Sequence, residues 1–168
     1  MVDLSLIQKW KSKLQNHNSQ RKIGIVWAGR EQRSCSLEIF SLLSRLDDIT
    51  FCSLQKGEAA KQAKNPPKGI KFIDHTEDIH DFSDTAAFIE NLDLIISVDT
   101  AVAHLAGALG KPVWTLLPFV PDWRWLLNRE DCPWYPTMRL FRQPSPSDWE
   151  SVIAKVSAEL QKIIQNKD

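Results

Sequence analysis

The chain has 168 residues, 43% of them apolar and 25% charged, the bulk and balance of one folded domain rather than a disordered tail or a mini-protein. Twenty-one basic residues offset twenty-one acidic ones, which excludes a global field that draws in nucleic acid or an anionic membrane. An anionic ligand has to be gripped locally, by a few groups.

Cys35, Cys52 and Cys132 form no CxxC pair and no even-numbered framework, which fits a reducing compartment and offers no structural zinc site. No apolar run reaches membrane-spanning length, and Met1 to Leu4 does not begin a signal peptide, so the expected address is the cytoplasm.

Leu6, Ile7, Trp10 and Leu14 recur at helical spacing, and a polar stretch follows, so residues 1–21 are expected to be an N-terminal helix and linker. From Lys22 to Asp168 the pattern is that of a single α/β domain. Lys22 to Trp27 reads as a buried strand, and Ile39, Leu42, Leu43 and Leu46 as one face of a helix. Thr50 to Leu54 is strand-like, a helix is expected from near Gly57, and Ile70 to Ile73 is strand-like again. Phe88, Ile89 and Leu92 mark the next helical face, followed by strand Leu94 to Val98, helix Ala101 to Leu109 and strand Val113 to Leu117.

Strands this continuously apolar, alternating with helices, predict a doubly wound, Rossmann-like parallel sheet covered on both faces. Beyond Pro118 the chain turns rich in Pro, Trp and Arg, before a short strand, Met138 to Phe141, and a last helix from Trp149. Five of the seven tryptophans (Trp114, Trp123, Trp125, Trp134 and Trp149) fall in this last third.

Ligands of open parallel sheets bind at the carboxyl ends of the strands. The strongest candidate loop is Asp99-Thr100-Ala101, opening the helix that ends at Gly110-Lys111-Pro112. Asp99 or Thr100 can cap this helix, small residues in its first turn leave the backbone open, and the helix dipole favours a phosphate there. His104, four residues after Thr100, lies on the same face and either contacts a ligand or hydrogen-bonds within the protein. Gly29 and Arg30 follow the first strand, with Arg33 close behind. They read either as a phosphate-binding loop or as a tight turn with solvated arginines. Gln55, Lys56 and Glu58 follow the second strand, where Glu58 can meet ribose hydroxyls and Lys56 a phosphate, or both are surface charge at a helix start.

Asp74, His75, Asp78, His80 and Asp81 match no metal-binding spacing and read as a polar loop. No nucleophile-and-base constellation can be assembled, so no catalytic residue is assigned.

The segment Asp99 to Pro112 (DTAVAHLAGALGKP) resembles the donor-binding motif of the heptosyltransferase-like family-nine glycosyltransferases. With KIGIVWAGR from Lys22, FCSLQKG from Phe51, PDWRWLL from Pro121 and PWYPTMRLFRQ from Pro133, it is similar above all to the C-terminal region of bacterial tetratricopeptide-repeat glycosyltransferase-like proteins. Ala101 stands where the heptosyltransferase motif has glycine.

The resemblance implies a single C-terminal half of a GT-B fold that binds a nucleotide-diphosphate sugar for inverting, metal-independent transfer, without a cofactor. It places Thr100 and Ala101 at the diphosphate, Asp99 and His104 near the sugar or bracing the loop, and Glu58 at the ribose. It implies an acceptor-binding domain or tetratricopeptide-repeat protein as partner. The alternative is a non-catalytic nucleotide-sugar-binding or interaction module. Trp123, Trp125, Trp134 and Tyr135 either pack the excursion onto the sheet edge, or Trp123, Arg124 or Trp125 sits at the cleft mouth, where a base or sugar ring can stack.

Overall fold

The computed structural model describes residues 2–15 and 20–165. Residues 16–19, within the expected linker, and 166–168 lie outside the described residues. Six strands form one sheet: β1 (Arg21–Val26), β2 (Ile49–Ser53), β3 (Lys71–Ile73), β4 (Leu94–Val98), β5 (Val113–Leu117) and β6 (Met138–Arg142). All pairings are parallel, in the order β3-β2-β1-β4-β5-β6. The middle strands are buried on both faces, as their unbroken apolar runs require.

Among the described residues, four α-helices accompany the sheet: α1 (Leu4–Leu14), α2 (Phe82–Glu90), α3 (Ala101–Ala108) and α4 (Trp149–Gln165). On one face, α4 places Val152, Ile153, Val156 and Leu160 against Ile23, Ile25, Ile96 and Leu116 of the strands. On the other, α1, α2 and α3 bury Trp10, Leu14, Phe88, Ile89, Ala103 and Ala106 with Val26, Ile95 and Leu117.

Helix α1 is docked onto α2. Trp10 is fully buried and stacks on Phe88 with ring centroids 4.4 Å apart. The buried Asp84 carboxylate accepts bonds from Trp10 Nε1 at 3.4 Å, Lys9 Nζ at 3.3 Å and the His80 amide at 3.1 Å. A buried carboxylate with three donors is held by hydrogen bonding and charge together, which compensates its lost hydration.

Two expected helices are 3₁₀ segments instead. Leu37–Leu43 buries Leu37, Phe40 and Leu43, while Leu42, expected on the inner face, is 47% exposed. With three residues per turn, every third side chain falls on one line. Glu58–Lys64 buries Ala63 alone, since EAAKQAK offers no bulky apolar face to hold a longer helix.

Replacing Trp10 with Ala removes a whole ring from between α1 and α2. The unfolding free energy from urea denaturation should fall by about 3–5 kcal/mol.

Candidate functional site

The strand order reverses between β1 and β4, so the chain beyond their carboxyl ends turns to opposite faces of the sheet and opens a crevice. Gly29 lies in the first loop and Asp99-Thr100 in the second. A side chain at Gly29 would put Cβ only 3.1 Å from Thr100 Cγ2 and 3.3 Å from the Asp99 carbonyl oxygen. Glycine is what lets the two loops meet.

Thr100 has extended N-cap geometry, but its side chain makes no capping bond. Its hydroxyl pairs with Ser97 Oγ at 2.9 Å instead. Among the described residues, no protein acceptor meets the amides of Ala101 and Val102, the two that precede the first helical bonds to the Thr100 carbonyl. These open donors, with the helix dipole behind them, favour an anion.

A cavity of about 700 Å³ lies over this helix end, lined by Gly29, Arg30, Arg33, Asp99, Thr100, Ala101, His104, Asp122 and Arg124. Arg33 spans the crevice, donating to Asp99 Oδ2 at 2.5 Å and to Asp122 Oδ2 at 3.1 Å. Arg124 donates to the same Asp122 oxygen at 3.1 Å. The Arg124 amide and both guanidinium groups hold the Asp122 carboxyl below the usual carboxylate range. Arg30 is exposed and forms no ion pair among the described residues, which leaves it available to an incoming anion.

His104 is held by the Trp-rich segment. Its ring stacks on Trp125 at 5.1 Å, and its Nδ1 is 3.1 Å from the Tyr135 hydroxyl. Its Nε2 faces Asp99 Oδ1 at 3.9 Å. Burial, with a further contribution from Arg124, holds the imidazole below its ordinary pKa against the opposing pull of Asp99 and Asp122.

Gln55, Lys56 and Glu58 line a second cavity of about 840 Å³ that shares Gly29 with the first. The buried Gln55 side chain accepts from the Trp27 and Ala28 amides and donates to the Ala28 and Lys56 carbonyls, stitching the β1 and β2 loops together. Lys56 donates to the carbonyls of Thr76 and Ile79 at 2.8 and 3.0 Å, so its ammonium braces a loop rather than reaching into the open crevice. Glu58 stays exposed and pairs with Lys61 at 2.6 Å. The expected site residues thus fall into two adjoining cavities.

Sequence reasoning missed Asp122, and took Tyr135 only as packing, whereas both reach the site from the excursion after β5. Their only sequence signal is polar groups set among aromatic neighbours. Of the tryptophans, Trp125 is fully buried, whereas Trp123 is 74% exposed in an apolar recess with Phe119, Val120, Leu126 and Leu127. In the acidic loop, Asp74 bonds Thr76, Asp78 pairs with Lys13 and Asp81 caps α2. Among the described residues, no group of three or more His, Cys, Asp or Glu is arranged to hold a metal ion.

Two measurements probe this arrangement. Because the folded pKa of His104 is lowered from 6.5, its contribution to stability is full above the unfolded value and is lost as pH falls through the folded one. The unfolding free energy should decline as pH drops below 6.5, and His104→Asn should flatten part of that slope in urea denaturation. At Gly107 an added Cβ would lie 2.6 Å from Tyr135 Cγ. Gly107→Ala should therefore cost about 1–3 kcal/mol and shift the NMR signals of Tyr135, the single tyrosine of the chain.

Residues 79–119 match the family model of Glycosyltransferase family 9 (heptosyltransferase). Protein FlbA of Caulobacter vibrioides is 26% identical over 94% of this chain, which spans 28% of FlbA. The Escherichia coli ADP-heptose lipopolysaccharide heptosyltransferase II shares the fold with a TM-score of 0.69 at 12% identity, over 96% of this chain and 53% of that one. Anabaena Alr3699/HepE, solved in complex with UDP-glucose, gives a TM-score of 0.53 at 16% identity, over 96% of this chain and 45% of that one. This chain therefore spans about half the length of the solved structures it matches. Its parallel sheet in the order 3-2-1-4-5-6 is the Rossmann-like half of a GT-B fold. Across α2, β4, α3 and β5 the chain is thus similar to glycosyltransferase family 9, the heptosyltransferases, and its fold is that of one half of such an enzyme.

Proposed function

We propose that this chain is the donor-binding half of a glycosyltransferase. It holds a nucleotide-diphosphate sugar with the diphosphate against the start of α3 and the nucleoside over the adjoining cavity at Gln55 and Glu58. The observation that carries this reading is the pair of amides, Ala101 and Val102, left without acceptors at the base of a cavity that Arg30 also lines. The solved neighbours support it, one by an ADP-heptose donor in its name and one by bound UDP-glucose.

In the transfer, the bond from the sugar's anomeric carbon to the diphosphate oxygen breaks, and negative charge grows on the departing diphosphate. The α3 dipole and Arg30 are placed to stabilise that charge, a task that needs no metal in this mechanism. The acceptor hydroxyl attacks from the opposite face, which inverts the configuration. Its proton goes to a base on a separate acceptor-binding domain or a tetratricopeptide-repeat protein. A cytoplasmic setting suits the three buried, unpaired cysteines.

A second reading, a nucleotide-sugar binder without transfer, draws on Arg33, whose guanidinium is already committed to Asp99 and Asp122.

Calorimetric titration with ADP, UDP, GDP and their sugars tests the binding common to both readings. At least one should bind, and Arg30→Ala should weaken it about tenfold through a lost charge-assisted contact. No binding by the folded protein overturns both readings. Sugar transfer to an added acceptor domain then separates the enzyme from the binder.

A further inference from the structure

The irregular segment after β5 does more than cover the sheet edge, because it fixes His104 from two sides. Trp125 lies nearly parallel to the imidazole, with an interplanar angle of 24°. Tyr135 meets it edge-on, with centroids 5.8 Å apart and its hydroxyl 3.1 Å from Nδ1. Tyr135 reaches this position through the notch at Gly107, where a side chain would collide with its ring. The result is an imidazole with one nitrogen occupied by protein and the other, Nε2, on the side of Asp99, in the cavity that both residues line.

A neutral imidazole carries its proton on one nitrogen, and the partner of the other nitrogen decides which. The Asp99 carboxylate, 3.9 Å from Nε2, favours the proton on that side. Nδ1 then accepts from the tyrosine hydroxyl. The opposite tautomer would turn a lone pair toward the carboxylate and toward any anion in the cavity.

We propose that Tyr135 is a positioning residue whose hydroxyl donates to Nδ1 of His104 and holds the imidazole in its Nε2–H form, presenting that N–H to a phosphate oxygen of the ligand. The donor role rests on the diphosphate reading given above, while the tautomer does not. In this arrangement His104 supplies a hydrogen bond without a further positive charge, in a site whose arginines Arg33 and Arg124 are already paired with carboxylates.

Long-range proton–nitrogen NMR of the ligand-free protein near neutral pH tests the tautomer directly. In the wild type, Nδ1 of His104 should be unprotonated and Nε2 protonated. Tyr135→Phe keeps the ring over Gly107 and should yield a mixture of tautomers. A protonated Nδ1 in the wild type, or an unchanged spectrum in Tyr135→Phe, overturns the assignment.

With the tightest nucleotide diphosphate from the ADP, UDP and GDP panel, Tyr135→Phe should weaken binding about fivefold. In a His104→Gln background it should have no further effect. An equal affinity for wild type and Tyr135→Phe overturns the donor role. If no nucleotide binds, the diphosphate reading falls and the donor role with it, and the spectrum alone decides the tautomer.

Discussion

A parallel sheet whose strand order reverses cannot cover its own turning point. Helices pack to either side of β1 and β4, and the carboxyl ends of those two strands are left facing a crevice. Much else in the molecule responds to that opening. Gly29 is stripped of a side chain so that one loop can lie against the other, and Thr100 spends its hydroxyl on Ser97 rather than on the helix it precedes. Arg33 then ties the β1, β4 and β5 loops together through Asp99 and Asp122.

The Trp-rich excursion completes the crevice from the β5 side. One of its three tryptophans, Trp125, is fully buried, and its carbonyl oxygen accepts from Arg142 at 2.5 Å, fixing the excursion to the end of β6. Trp134 Nε1 donates to the Arg124 carbonyl at 2.8 Å. The backbone that carries Asp122 and Arg124 is therefore held at several points, so the Asp122 carboxylate meets both guanidinium groups as part of a fixed wall. Rigidity of this kind lowers the ordering cost of binding a charged ligand.

The strands were legible because burial on both faces leaves an unbroken apolar run, and all six are found within a residue or two of their expected limits. The 3₁₀ segment at Leu37–Leu43 was not, because both Leu37/Phe40/Leu43 and Ile39/Leu42/Leu43/Leu46 fit a helix and only the tertiary core selects between them. Asp99, Thr100, Ala101 and His104 were legible through helix-start chemistry. The role of Lys56 was not, since nothing local tells that the carbonyls of Thr76 and Ile79, twenty residues onward, fold back to take its ammonium. Tyr135 was hidden for a similar reason: its partner His104 lies 31 residues earlier, and the notch at Gly107 that admits it gains meaning only once the two segments are packed.

Gly29 sets a boundary on how such a site can diversify. Any side chain there presses on Thr100 and on the carbonyl of Asp99, so a change that enlarges the residue also moves the helix end. Adaptation to a new ligand is thereby channelled into the residues just past it, Arg30 to Gln32, since Arg33 is tied to Asp99 and Asp122 and Ser34 to the Gly29 amide. The floor of the crevice is fixed by steric necessity, and its rim is where a change of side chain is tolerated.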